Sequence, residues 1–380
     1  MPRRVLEAMA RPMTDLYEGP IVAASQAIRQ QLPAIVGTKG EAFIVTSSGH
    51  GGWQMATSNT LSRGDKVLVL ESGRFPGIWG IYTEVSDVEV EVLPGSMRAA
   101  VDPAAVSERL AADTKHEIKA VLCVHVDTAS SVRNDIPALR AAIDAVDHPA
   151  LFMVDGIASV GCEEYRMDEW GVDVTVSASQ KGMMVPPGLA FVWAGPKALA
   201  AHADADMRVG YFDWENRLST VSQYHYYAGT PPMAHLFGLE AALELVAEEG
   251  GWEQVWNRHT ILANAVRAAV QQWAHRDGIE FNIQDPANRA NSVTTMLTNG
   301  IDAAEVRRRS DEQAGLVLGL GISDVPGFRL AHMGHLNPPM VMGALGTVEA
   351  VLASMDAPMS GSGLGAAAAV IGNALAQQDA

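Results

Sequence analysis

Between residues 40 and 200 the chain repeats one pattern: a short run of apolar residues, a helical stretch, then another such run. The runs are AFIVT (42–46), KVLVL (66–70), VEVEVLP (88–94), KAVLCVHV (119–126), ALFMVD (150–155), DVTVSA (173–178) and LAFVWA (189–194). Helical patterns such as 103–112 and 135–147 lie between them, and another starts at Trp53 after a Gly-rich turn. Continuous apolar strands separated by helices indicate a mostly parallel sheet covered on both faces. In such sheets ligands bind beyond the carboxyl ends of the strands.

After residue 233 the character changes. Two long helical stretches, 234–249 and 252–276, are separated by Glu249-Gly250-Gly251. Short strands are expected near 292–298, 315–319 and 328–331, alternating with helices at 302–313 and 337–355. The pattern is that of a second, smaller α/β domain. We therefore expect a large domain over 15–233 and a small domain built from 1–14 and 234–357. The Ser/Gly/Ala-rich tail, 358–380, is expected to form a helix after a flexible joint. The total of 380 residues accommodates two such domains with sizeable cores.

Charge narrows the partners. Asp and Glu number 44 against 27 Lys and Arg, a net charge of −17. This balance argues against general binding to nucleic acid or anionic membranes, which needs excess positive charge facing phosphates. A local anion site remains compatible with it. No apolar run is long enough for a membrane span, and MPRRVLEAMARPMTDL lacks a signal-peptide core. The two cysteines, Cys123 and Cys162, sit in or just after apolar runs and read as core residues of a cytoplasmic protein.

Lysine is scarce: Lys39, Lys66, Lys115, Lys119, Lys181 and Lys197 are the six. Five have polar neighbours, as solvated surface lysines do. Lys181 lies in VSASQKGMMVPPGLAFV, after a buried-type strand and among small and apolar residues. Partial desolvation lowers the pKa of such a lysine and lets it attack a carbonyl carbon. The alternative is a surface loop lysine. Upstream, ALFMVDGIASVG places Asp155 at the carboxyl end of an apolar strand. A carboxylate there either caps the next turn or pairs with a positive partner. A Schiff-base lysine and an acid facing a ring nitrogen are what pyridoxal phosphate chemistry requires.

Three further features suit that cofactor. The turn Thr46-Ser47-Ser48-Gly49-His50-Gly51-Gly52 follows a strand and opens a helix, which makes it a candidate anion cradle without Walker spacing. Gly77-Ile78-Trp79-Gly80 sets an indole near the next helix start, where it either stacks on a ring or fills the core. Gly327-Phe328-Arg329-Leu330 puts an arginine in an apolar strand, where its fork calls for a carboxylate, structural or substrate.

The order of these parts resembles class V pyridoxal-phosphate aminotransferases of fold type I. The chain is most similar to the alanine/serine/aspartate–glyoxylate group and to pyridoxamine–pyruvate aminotransferase. The carrying segments are TSSGHGGWQMA (46–56), SGRFPGIWG (72–80), HVDTASSVRND (125–135), FMVDGIASVG (152–161), DEWGVDVTVSASQKGMMVPPGLAFV (168–192) and FRLAHMGHLN (328–337). The resemblance implies an α/β fold, with a large domain on a mostly parallel sheet and a smaller C-terminal α/β domain.

By position, the resemblance implies that Lys181 is the lysine that carries the cofactor and moves the proton. Asp155 is implied as the ring-nitrogen partner, with Trp79 and Ile157 on the two ring faces. Ser48, Gly49 and His50 match the phosphate turn, and Gln180 a second phosphate contact. Thr128 matches a hydroxyl near the ring oxygen, and Arg329 the binder of the substrate α-carboxylate. Tyr227 and Thr230 match a segment that reaches the phosphate of a neighbouring subunit, which implies a homodimer with shared sites. No metal is implied.

The implied reaction moves an amino group from alanine, serine or aspartate to glyoxylate or pyruvate by a ping-pong route. A pyridoxamine–pyruvate-type reaction and a β-lyase are the alternatives on this fold. Ser48 in an anion-friendly turn favours the phosphorylated cofactor over free pyridoxamine. A desulfurase would need a cysteine in a small-domain loop, where neither cysteine lies. Arg329 alone suits alanine- or serine-sized donors; aspartate needs a second cation, for which Arg74 and Arg208 are the candidates. His332 and His335 read as strand-end and loop histidines.

Overall fold

Each apolar run of the first half forms a strand, and its neighbours form the helices that cover it. The computed structural model describes residues 1–218, 222–322 and 325–378. The chain starts with α1 (Arg3–Met9), α2 (Pro20–Val36), β1 (Glu41–Ser47), α3 (Gly49–Thr60), β2 (Lys66–Leu70), α4 (Phe75–Glu84) and β3 (Glu89–Leu93). It continues with α5 (Pro103–Ala111), β4 (Ile118–Val124), α6 (Ile136–Asp144), β5 (Leu151–Asp155), β6 (Val174–Ala178), β7 (Gly188–Ala194) and α7 (Pro196–His202). Two short helices follow, α8 (Trp214–Leu218) and α9 (Gln223–Tyr226), and then the long α10 (Met233–Glu249) and α11 (Trp252–Trp273). The last part holds β8 (Ile279–Phe281), β9 (Val293–Thr298), α12 (Ala303–Glu312), β10 (Gly319–Leu320), β11 (Gly327–Ala331), α13 (Pro338–Ser354) and α14 (Leu364–Gln378).

The large sheet has seven strands in the order β1-β7-β6-β5-β4-β2-β3. Only β7 runs antiparallel to its neighbours, β1 and β6. Alternate residues serve opposite faces, which explains why the runs are apolar throughout. Ile44, Leu68, Leu70, Val121, Phe152 and Val154 join one core cluster. Phe43, Val45, Val67, Val69, Leu122 and Met153 join the other, under α3 and α4. α1 and α10 pack on each other, and α10 also packs on α2, so the buried side of α10 belongs to the first cluster.

The small sheet is antiparallel, in the order β10-β11-β9-β8, and has its own core with α11, α13 and α14. Its third strand in sequence falls at Gly319–Leu320, at the end of the expected stretch, and β8 adds a strand that the pattern did not signal. The tail is helical as expected, but its joint is tied down. Glu349 accepts from Ser362 Oγ (2.6 Å), Gly363 N (2.7 Å) and Trp273 Nε1 (2.8 Å), and Ala367 and Ile371 of α14 are buried in this core. Among the described residues no helix is long and apolar enough to cross a membrane.

Helix starts are closed locally in several places. Asp102, Asp135, Asp302 and Asn337 each accept a backbone N–H at the head of α5, α6, α12 and α13. Ser48, at the same position before α3, makes no such bond. That exception opens onto the carboxyl end of the large sheet.

Candidate active site

The carboxyl ends of the parallel strands converge on one cavity. Its wall takes Ser48, Gly49, His50 and Trp53 from the β1–α3 junction, Phe75 from the head of α4, and Thr128 from the loop after β4. Asp155 and Ile157 follow from the end of β5, and Gln180 and Lys181 from the loop after β6. Val124, Val126 and Ala158 complete it with apolar surface. Ser48, Gly49, His50, Thr128, Asp155, Ile157, Gln180 and Lys181, all expected at the site, are brought together here because they follow strand ends on one edge of the sheet.

Asp155 is 3% exposed, and its carboxylate accepts from Ile157 N (2.6 Å) and Trp53 Nε1 (3.0 Å). Burial pushes its pKa up to about 7, against the pull of those two donors. Lys181 has no ion pair among the described residues. Burial lowers its pKa first, and the positive charge of Arg329 lowers it further. A buried acid and a half-buried amine thus line one cavity without forming an ion pair. The acid suits a ligand group that carries a proton, and the amine suits a carbonyl carbon.

The phosphate turn has the form of an anion cradle. Gly51 N and Gly52 N bond back to Ser48 O, whereas the Gly49 and His50 N–H groups have no partner among the described residues. They stand at the positive end of α3 beside the uncommitted Ser48 hydroxyl. A Cβ on Gly49 would run into Ile157, so glycine lets that aliphatic side chain lie close over the cradle. Gln180 Oε1 is buried there with no hydrogen bond. These uncommitted donors and acceptors suit a ligand with an anionic end and a flat apolar body.

Three expected residues, Trp79, Tyr227 and Thr230, do not line this cavity. Trp79 is fully buried and stacks on Trp53, with ring centroids 5.7 Å apart, so it lies behind the cavity wall. Phe75, four residues earlier at the head of α4, takes the wall position instead. One helical turn rises about 5.4 Å, which carries the indole into the core beneath. Tyr227 is 2% exposed, and its hydroxyl shares a 2.8 Å hydrogen bond with Ser25 Oγ of its own chain. Thr230 is exposed on the surface.

Arg329, on β11, reaches back to donate through Nη1 to the carbonyl of Thr128. It therefore meets a cavity-lining residue from the small sheet. His332 is buried, held by Asn291 O (2.8 Å) and Thr294 Oγ1 (2.9 Å), and burial lowers its pKa to about 3. His335 is exposed and lines a separate cavity with Glu249 and Arg258. Cys123 and Cys162 are free, buried thiols.

Sequence reasoning missed Trp53, Phe75 and Asp127. Trp53 was legible only as the start of a helical pattern; its N–H toward Asp155 depends on how α3 meets β5. Asp127 is fully buried and accepts from Phe75 N, Ala129 N and Ser130 N, each at 2.8 to 2.9 Å. A carboxylate in a loop segment gave no sign of that.

A family model described as "Aminotransferase class-V" matches residues 8–328. The chain belongs to the class-V aminotransferase family. This aminotransferase is 37% identical to the serine–glyoxylate aminotransferase of Methylorubrum extorquens, over 98% of this chain and 93% of the relative. It is 36% identical to the L-aspartate–glyoxylate aminotransferase of Paracoccus denitrificans, over 97% and 92% respectively. Among solved structures, the pyridoxamine–pyruvate aminotransferase of Mesorhizobium loti superposes with a TM-score of 0.86 at 24% identity, covering 98% of this chain and 94% of that one. The aminotransferase thus has the fold type I architecture, with the cavity at the strand ends of its large sheet.

Proposed function

We propose that this enzyme uses pyridoxal 5'-phosphate to move an amino group from a small amino acid to glyoxylate or pyruvate. The observation that carries the reading is the unpaired couple of Lys181 and Asp155 in one cavity, beside an anion cradle. The Ser48 hydroxyl and the Gly49 and His50 N–H groups would hold the phosphate, with Gln180 beside them. Ile157 and Phe75 would flank the ring, and Thr128 would stand near its oxygen. Asp155 would face the ring nitrogen and keep it protonated. When bound, the cofactor supplies an electron sink that stabilises the carbanion left at Cα.

The remaining chemistry belongs to the chain. Lys181 would hold the cofactor and, as a base, would take the proton from the substrate Cα. Its depressed pKa keeps a larger share of the amine neutral, as a base must be. Arg329 binds the α-carboxylate and so orients the Cα–H bond toward Lys181. A cytoplasmic homodimer fits this reading. Val209, Tyr211 and Tyr224 are apolar or aromatic side chains exposed in the stretch leading to Thr230, which suits a surface covered by a second copy.

Lys181→Ala, purified with pyridoxal 5'-phosphate, is expected to lose the protein-bound visible absorbance and to fall to background turnover with glyoxylate or pyruvate as acceptor. Retention of both would overturn the proposal. Release of ammonia from the wild-type enzyme without any amino acceptor would replace transfer by a β-lyase reaction.

A further inference from the structure

Two arginines adjoin cavity-lining residues without an ion-paired carboxylate: Arg74 precedes Phe75, and Arg329 bonds Thr128. Arg329 donates only to the Thr128 carbonyl, and neither it nor Arg74 forms an ion pair among the described residues. Arg208, the other candidate cation for a second carboxylate, is paired with Glu215 at 3.3 Å. It is therefore already engaged.

The placement of Arg74 is built into the fold. Gly73 passes so close to the Asp127 carboxylate that a Cβ there would collide with it. The next-but-one residue, Phe75, donates its N–H to Asp127 Oδ2 at 2.8 Å. Asp127 in turn accepts from Ala129 N and Ser130 N, so one buried carboxylate clamps residues 73–75 onto 127–130. Phe75 and Thr128, the cavity-lining members of these two segments, are thereby fixed side by side. Arg74 adjoins the first and Arg329 is bonded to the second, and the two guanidinium groups are close enough to repel. Asp127 also attracts Arg329, but its oxygens are bonded to backbone N–H groups and it forms no ion pair with either arginine among the described residues.

Two neighbouring forks that no protein carboxylate pairs with form a receptor for two carboxylates on one ligand. We infer that Arg74 is a specificity-determining residue that binds the side-chain carboxylate of a dicarboxylic amino donor, aspartate being the smallest, while Arg329 holds its α-carboxylate. This rests on the proposed aminotransferase reaction and names its donor class.

The test uses the holoenzyme and its Arg74→Gln and Arg208→Gln variants. For each, kcat/KM is measured for aspartate, alanine and serine with glyoxylate as acceptor. The ratio of aspartate to alanine is expected to fall roughly tenfold to a hundredfold in Arg74→Gln, the worth of one charge-assisted contact, mainly through KM. Arg208→Gln is expected to leave that ratio where it is. In a second arm, calorimetric titration with succinate and propionate compares two-carboxylate and one-carboxylate ligands. Succinate should bind more tightly than propionate to the wild type, and Arg74→Gln should remove most of that difference.

An unchanged ratio in Arg74→Gln, or succinate binding no tighter than propionate, overturns the inference while leaving transamination of alanine or serine intact. Absence of transfer from every donor would instead count against the aminotransferase reading. The succinate comparison would still decide whether Arg74 and Arg329 form a dicarboxylate receptor.

Discussion

At the scale of single residues, chemistry is set by which polar groups the fold leaves uncommitted. Among the lysines, Lys66 pairs with Glu89 at 2.7 Å, Lys197 donates to Ala150 O at 2.7 Å and Lys119 to His116 O at 2.9 Å. Lys39 and Lys115 are exposed. Lys181 is the one whose pKa burial depresses. The scarcity of lysine, and the apolar setting of this one, make it stand out in the sequence itself. The tuning of Asp155 is not legible there, because the Trp53 N–H comes from a helix 102 residues away in sequence. Trp53→Phe removes that donor and is expected to raise the Asp155 pKa. The acidic limb of the kcat/KM profile should then move to higher pH, and the protein should lose about 1.5–3 kcal/mol of stability. A pH profile and a denaturant titration check this; a profile unchanged in its acidic limb would remove Trp53 from the tuning of Asp155.

At the scale of elements, strands were more legible than helix ends. Both faces of β2, β4 and β5 are buried, so their sequences announce them without ambiguity. β8 spans three residues and gives a pattern too short to read. On α4, composition favours Trp79 as the ring-facing aromatic, yet position along the helix decides for Phe75; a side-chain type does not reveal depth. The loop after β11 depends on α11 in a way that pH should expose. His259 donates through Nδ1 to Val255 O at 2.7 Å and accepts the Gly334 N–H on Nε2 at 3.0 Å. It is neutral in the fold, with its pKa lowered to about 4 by burial. Its unfolded value is about 6.5. The stability it contributes is therefore complete above that pH and is lost as pH falls through the folded value, on the order of 3 kcal/mol. Thermal melts of wild type and His259→Leu between pH 7 and 4 should converge as pH falls. Parallel curves would contradict this role for His259.

At the scale of the whole molecule, the net charge of −17 excludes little about the site, whose wall carries Lys181 with Arg329 bonded to the neighbouring Thr128. The division into a large and a small sheet was visible in the change of pattern after residue 233. The way the tail closes onto Glu349 was not, because a Gly/Ser-rich joint looks the same whether anchored or loose. Tyr227 shows a similar limit: its local sequence gives no sign that its hydroxyl meets Ser25 of its own chain, 202 residues away.

In the proposed reaction one lysine of six carries the cofactor at the strand ends of the large sheet. Borohydride reduction of the enzyme loaded with pyridoxal 5'-phosphate, followed by peptide mass mapping, reads that residue directly. A single phosphopyridoxyl group on the peptide containing Lys181 is the expected result. Its attachment to another lysine, or no attachment at all, would contradict the account.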